Sequence, residues 1–130
     1  MTLPPYAAFL GVTLEPGDAS LLTLPFGEDV LGRPGFVHGG ALAGLLELAA
    51  ITALEQALSR AGRAEAPFKP INLTVDYMRG ARDNPTHAVG RVSRLGSRIA
   101  NVEAVAWQTE RERPVAAARI NFLISEPASA

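Results

Sequence analysis

Two groups in this sequence have the chemistry to act on a carbonyl. The first is Gly35-Phe36-Val37-His38-Gly39-Gly40, which opens an apolar stretch running on to Leu58. Paired glycines at a helix start leave backbone N–H groups without intrahelical acceptors, at the positive end of the helix dipole and open to close approach by a ligand. Donors of this kind suit the charge that develops on a carbonyl oxygen under attack, so Gly39 N–H is the expected oxyanion contact, with Gly40 beside it. The second group is Glu47, the only ionisable residue between Gly39 and Leu54. Its same-face neighbours on a helix are Ala43, Gly44, Ala50 and Ile51, with no local cation. An acid in such surroundings can act as a general base toward water or attack a carbonyl itself, and the residues leave both routes open.

Gly39 and Glu47 are eight residues apart, roughly 12 Å along a helix. At that separation the two groups of one chain are poorly placed to address the same carbonyl. His38, just before the helix, can orient the loop or hydrogen-bond a substrate; it is not needed as a proton shuttle. Each feature also has a structural alternative. Glu47 can be a core carboxylate paired with Arg79, Arg98 or Arg119, His38 a loop histidine bonded to backbone, and Gly39 and Gly40 residues that allow tight helix packing.

These groups must be positioned by the rest of a chain of 130 residues, 48% hydrophobic and 19% charged, enough for one compact core, so a single domain over 1–130 is expected. Pro4 to Leu10 reads as a short helical or irregular lead-in. Leu10, Val12 and Leu14 alternate as a strand ending at Glu15-Pro16-Gly17-Asp18, and a second strand follows from Ala19 to Phe26. A glycine-rich loop then leads into the helix, which closes near Ser59 to Gly62. Beyond the linker Arg60 to Pro70, the segment Ile71 to Arg79 alternates Ile71, Leu73, Val75 and Tyr77 with more polar residues, predicting one buried face. Gly80 to Pro85 reads as a turn. Thr86 to Leu95, Arg98 to Thr109 and Pro114 to Ser125 are three more strands, joined by Gly96-Ser97 and Glu110 to Arg113, connectors short enough for antiparallel neighbours. The last seven residues, Pro127 to Ala130 included, read as a frayed tail.

The order is β-β-α-β-β-β-β: an α+β protein in which a curved antiparallel sheet of about six strands wraps one long helix. That helix is apolar nearly all round, so the sheet must curl about it or a second subunit must cover the remainder, and the Ile71 to Arg79 strand is a candidate edge for pairing. A homodimer is expected. The helix from Gly39 to Leu54 falls short of a membrane span, and no membrane association is expected. A formal charge of −1 with scattered Lys and Arg argues against nucleic acid, and the absence of cysteine with two distant histidines argues against a thiolate or zinc centre. No metal or cofactor is expected, and a cytoplasmic location fits the absence of cysteine.

The G-x-x-H-G-G entry, the acid nine residues after His38, the strand Leu73-Thr74-Val75-Asp76-Tyr77-Met78-Arg79-Gly80 and the final Pro114-Val115-Ala116-Ala117-Ala118 segment together resemble the hotdog-fold acyl-CoA thioesterases, in particular their phenylacetate-pathway-type branch. The resemblance covers essentially the whole chain. It implies hydrolysis of an acyl-CoA to an acid and free CoA, dimers joined edge to edge, frequent tetramers, and active sites at the dimer interface. It also implies that the glycine end of one subunit works with the acid of the other. Hydrolysing a thioester needs oxyanion donors and a base or nucleophile, whereas the thiolate leaving group needs little help from an acid. Catalytic roles are therefore expected for Glu47, Gly39 and His38. Gly40, Asn72, Thr74, Arg79, Ser97 and Arg98 are the expected substrate and CoA contacts, although Gly96-Ser97 is most simply a hairpin turn and Arg79, Arg94 and Arg98 can be solvated strand-end charges.

The sequence departs from that pattern in three places. Gly32 stands where related enzymes often carry Asn or Gln, Pro70 falls where some carry a water-holding Ser, and the acid is Glu where much of the branch has Asp. Asn72 and Thr74 are the nearest polar substitutes for that Ser. The departures keep a non-catalytic acyl-CoA-binding role in view, and a hotdog hydratase or dehydratase is a third reading, less favoured because its motifs differ. Thiol release from acyl-CoAs separates the first two; hydration of an enoyl-CoA marks the third.

Overall fold

The computed structural model describes residues 3–127. The elements are α1 (Pro5–Leu10), β1 (Thr13–Glu15), β2 (Asp18–Leu24), α2 (Gly39–Arg60), β3 (Phe68–Tyr77), β4 (Thr86–Leu95), β5 (Ile99–Trp107) and β6 (Ala116–Ile124), with one 3-10 turn at Glu28–Val30. The six strands form one sheet in the order β1-β2-β4-β5-β6-β3, every pairing antiparallel. With α2 packed on its inner face, this is the expected hotdog arrangement. Of the expected seven-residue tail, residues 128–130 lie outside the described part of the chain, whereas Ile124 ends β6 and Ser125 N–H donates to Pro67 O at 2.8 Å.

α2 forms because Leu and Ala dominate its 22 residues and both ends carry caps. His38 caps the start; at the end Gly62 takes φ 72° and Arg63 N–H donates to the Leu58 carbonyl at 2.7 Å. Leu45, Leu46, Ala49, Leu54 and Leu58 are buried against the inward side chains of the sheet, among them Leu22, Ala88, Val102, Ala104, Ile120 and Phe122. Gly90 of β4 marks the closest approach: a β-carbon there would overlap the Ala49 carbonyl. The helix runs on to Arg60, so the expectation that it falls short of a membrane span is corrected. By length and composition it could cross one, and the sheet buries most of it instead.

From Gly40 to Glu55, the positions of α2 left incompletely buried are Gly40, Ala43, Glu47, Ile51 and Glu55, recurring every three or four residues. They make a single stripe turned away from the sheet.

β3 is an edge strand, as its alternation suggested, but its expected buried face is not covered. Ile71 is 51% exposed, Leu73 39% and Tyr77 56%. A bulge between Pro70 and Asn72 takes Ile71 out of alternation, and β3 pairs with β6 alone while α2 lies chiefly over β4 and β5. Pro70 lacks an N–H and is tolerated at such an edge. Gly80 to Pro85 is also more than a local turn. β3 lies beside β6, and β4 lies between β2 and β5, so this segment crosses the end of the sheet, where Ala81 O accepts from Val37 N–H at 2.9 Å.

Candidate active site

Residues 31–38 are braced before they reach the helix. Leu31 and Val37 form an antiparallel bridge, Gly32 N–H donates to Phe36 O at 3.0 Å, and His38 N–H donates to Val30 O at 2.7 Å. A β-carbon on Gly32 would come within 3.1 Å of the His38 Cα, so the absence of an Asn or Gln side chain here reflects a backbone drawn tightly against His38.

His38 is extended, with φ −62° and ψ 135°, and its Nδ1 accepts from Gly40 N–H at 2.8 Å. Its carbonyl accepts from Ala41 and Leu42 N–H at 3.0 and 3.1 Å. His38 is therefore a helix cap, the positional reading, and the cap uses the Gly40 amide. Gly39 N–H is left without an acceptor among the described residues. It is the free donor expected at the positive end of the helix.

This donor lies on a cavity of about 370 Å³ lined by Gly32, Phe36, His38, Gly39, Tyr77 and Arg79, among others. Tyr77, the last residue of β3, donates its hydroxyl to the Gly39 carbonyl at 2.8 Å. Arg79 is held by Nε donating to Pro114 O at 3.0 Å, which fixes its stem at the cavity wall. Phe36 carries the guanidinium of Arg33 4.0 Å from its ring centroid and that of Arg82 at 4.5 Å, giving the mouth a positive rim.

Glu47 is half-buried on the outward stripe of α2 and does not line this cavity. The structural alternative of an ion pair is not realised: Glu47 has no hydrogen bond or salt bridge among the described residues, and the arginines proposed for it are elsewhere. Arg79 is on the cavity, and Arg119 pairs in register with Glu103 and Thr74 on the outer face of the sheet.

The other expected contacts are not brought together with Gly39. Asn72 and Thr74 stand opposite Asn121 and Arg119 of β6, which alternate with the inward Ala118, Ile120 and Phe122, so they face outward. Asn72 is engaged there, its Oδ1 accepting from Asn121 Nδ2 at 3.0 Å. As substitutes for a water-holding serine beside Glu47 they are on the wrong side of the sheet. Ser97 and Arg98 form the β4–β5 turn, whose carbonyls at Gly96 and Ser97 accept from Arg63 at 2.9 Å. Arg63 follows the end of α2, roughly 30 Å of helix from Gly39. Within one chain these two residues cannot serve the Gly39 cavity.

The residue that sequence reading misses is Tyr77. Its period-two phase with Leu73 and Val75 marks it as one more apolar inward position. The signal was available, because it is the one side chain on that face of β3 with a polar tip.

A model of the thioesterase superfamily matches residues 34–115, from the glycine entry through β5. Among solved structures, a protein from Chromobacterium violaceum is 30% identical with a TM-score of 0.69, the match covering 93% of this chain and 83% of that one. The Escherichia coli PaaI protein, from the phenylacetic acid degradation operon, is 17% identical with a TM-score of 0.78 over 96% and 87% of the two chains. A Bacillus halodurans protein solved with CoA is 21% identical with a TM-score of 0.76 over 95% and 77%. No curated protein matches the sequence.

Proposed function

Because the chain belongs to the thioesterase superfamily, we propose that it hydrolyses an acyl-CoA thioester to a carboxylic acid and free CoA, as a thioesterase of the phenylacetate-pathway type. The observation that carries this reading is the Gly39 N–H: an amide without an acceptor among the described residues, at the start of a 22-residue helix, in a residue that lines an open cavity. The thioester oxygen accepts from that amide, and the helix dipole favours the charge that grows on it. Water, deprotonated by Glu47, adds to the carbonyl carbon; the C–S bond then breaks and the CoA thiolate leaves. Direct attack by the Glu47 carboxylate, followed by hydrolysis of the anhydride, gives the same products.

The Glu47 in question is assigned to a second copy of the chain, since eight residues of helix separate it from the Gly39 of its own. The exposed apolar side chains of the edge strand, Ile71, Leu73 and Tyr77, support pairing of β3 with another β3, a contact that leaves no open sheet edge there. Arg79 and the arginines on Phe36 are suited to the anionic groups of CoA, and the CoA in the Bacillus halodurans relative supports that choice of carrier.

The test is thiol release from a panel of aliphatic and aromatic acyl-CoAs by the wild-type protein and by Glu47→Ala. Release by the wild type that is lost in the variant supports the reading. Tight acyl-CoA binding with no thiol release from any member of the panel would replace it with a binding role.

A further inference from the structure

We propose that Tyr77 is a positioning residue for the carbonyl-polarising amide, its hydroxyl holding the first turn of α2 so that Gly39 N–H stays aimed into the cavity. The inference deepens the thioesterase reading and rests on it for its catalytic meaning, though the geometry stands by itself.

Two successive glycines are the backbone most able to swing, since neither has a side chain to limit φ and ψ. An oxyanion donor gives most when it needs no reorganisation during the reaction. The donor N–H belongs to the His38–Gly39 peptide, whose carbonyl already accepts from Ala41 and Leu42. The Gly39–Gly40 peptide that follows it is held at both ends, which limits rotation about the Gly39 Cα between the two units. Its N–H donates to His38 Nδ1 at 2.8 Å, and its C=O accepts from the Tyr77 hydroxyl at 2.8 Å. A carbonyl has two lone pairs, so this bond can add to the helical one. The Tyr77 ring also lies against the glycine, with Cε1, Cζ and the hydroxyl oxygen each 3.4 Å from where a β-carbon on Gly39 would be.

The two restraints come from different places. His38 directly precedes the glycines in the chain and is held, through the loop that carries it, by Val30. Tyr77 ends β3, an edge strand of the sheet, and ties the helix start to that frame. Burial does not explain the residue, which is 56% exposed. The other inward side chains of this strand, Phe68, Pro70, Leu73 and Val75, have no polar group to offer.

Tyr77→Phe removes the hydroxyl and keeps the ring. On an acyl-CoA hydrolysed by the wild type, we expect kcat to fall about 3- to 10-fold, the equivalent of one neutral hydrogen bond, with KM within about twofold and the unfolding midpoint little changed. In two-dimensional amide spectra of the substrate-free protein, Gly39 and Gly40 should shift, and Gly40 N–H, the hydrogen-bonded amide of the pair, should exchange faster with solvent. Unaltered Gly39 and Gly40 resonances overturn the inference, as does a change confined to KM, which makes Tyr77 only a binding wall. Absence of thiol release by the wild type sinks the thioesterase reading alone, since the amide spectra still decide whether Tyr77 sets the glycine turn.

Discussion

The first turn of α2 and the turn that carries Glu47, two turns further along the same helix, differ in how far their own chain completes them. At the first turn, Val30, His38 and Tyr77 fix the backbone on every side but one, and the remaining N–H opens on a cavity. At the second, the sheet-facing side is packed so closely that Gly90 leaves no room for a methyl group, while Glu47 on the opposite side has no hydrogen-bond or ion-pair partner among the described residues. Half-buried carboxylates are ordinarily hydrogen-bonded or paired. Under the proposed division of the site between two copies, the Gly39 half is finished by folding and the Glu47 half is left for a neighbour to complete.

The hardest test of that contrast is on Glu47 itself. Glu47→Gln keeps the shape and removes the base, so kcat should fall by about 10²- to 10⁴-fold with the fold intact. Full turnover by this variant would sink the mechanism.

Gly39→Pro removes the amide hydrogen at the other half. Proline is favoured at the first helical position, and the extended His38 before it is compatible with a following proline. A β-carbon at this position meets Tyr77 at 3.4 Å, an ordinary contact distance, so the protein should fold while kcat drops by about 10²- to 10³-fold. The two inactive variants also test their division between copies. If each site combines Gly39 of one chain with Glu47 of the other, mixed dimers contain one intact site, and refolding an equal mixture should restore about a quarter of wild-type activity. No recovery on mixing would put both groups in the same subunit's site.

Gly90→Ala acts on the finished side of the Glu47 turn. The new methyl group must push back the Ala49 backbone, which should cost about 1–3 kcal/mol, read as a lower denaturation midpoint. Because the displaced turn carries Glu47 rather than Gly39, thiol release should suffer while the Gly39 amide resonance stays in place.

Much of this was legible in the residues, and the misses have definite causes. His38, Gly39, Gly40 and Glu47 stand out because their types are unusual for an apolar helix, and a helix start fixes what its first amides can do. The strand order past β3 was less accessible. The Gly80 to Pro85 segment has turn composition, and nothing in it signals that it crosses the end of the sheet rather than folding back beside β3. Asn72 and Thr74 were read by chemical type, whereas their phase, opposite to Leu73 and Val75, already placed them on the outer face. Gly96-Ser97 has turn composition, with Arg98 expected to open the next strand, but only the Arg63 bonds reveal which end of α2 the turn meets. Tyr77 shows the reverse error, a polar tip hidden by an apolar phase.

The smallest expected effect concerns Glu55, which continues the outward stripe two turns past Glu47. Burial raises the carboxyl pKa of Glu55 above its ordinary value. An acid with a raised folded-state pKa supports the fold most fully below its unfolded pKa, and that support is lost as the pH rises through the folded value. Glu55→Gln should therefore stabilise the protein at pH 7, by about 0.5 kcal/mol or less for so exposed a group, and make little difference in acid where both states are protonated. The comparison sharpens when this is repeated across protein concentration. If a second copy covers the stripe, Glu55 is further desolvated on association, and the gain from Glu55→Gln at pH 7 should grow with concentration while its acid limit stays flat. A gain independent of concentration would mean that the copy completing Glu47 does not extend to this part of the helix.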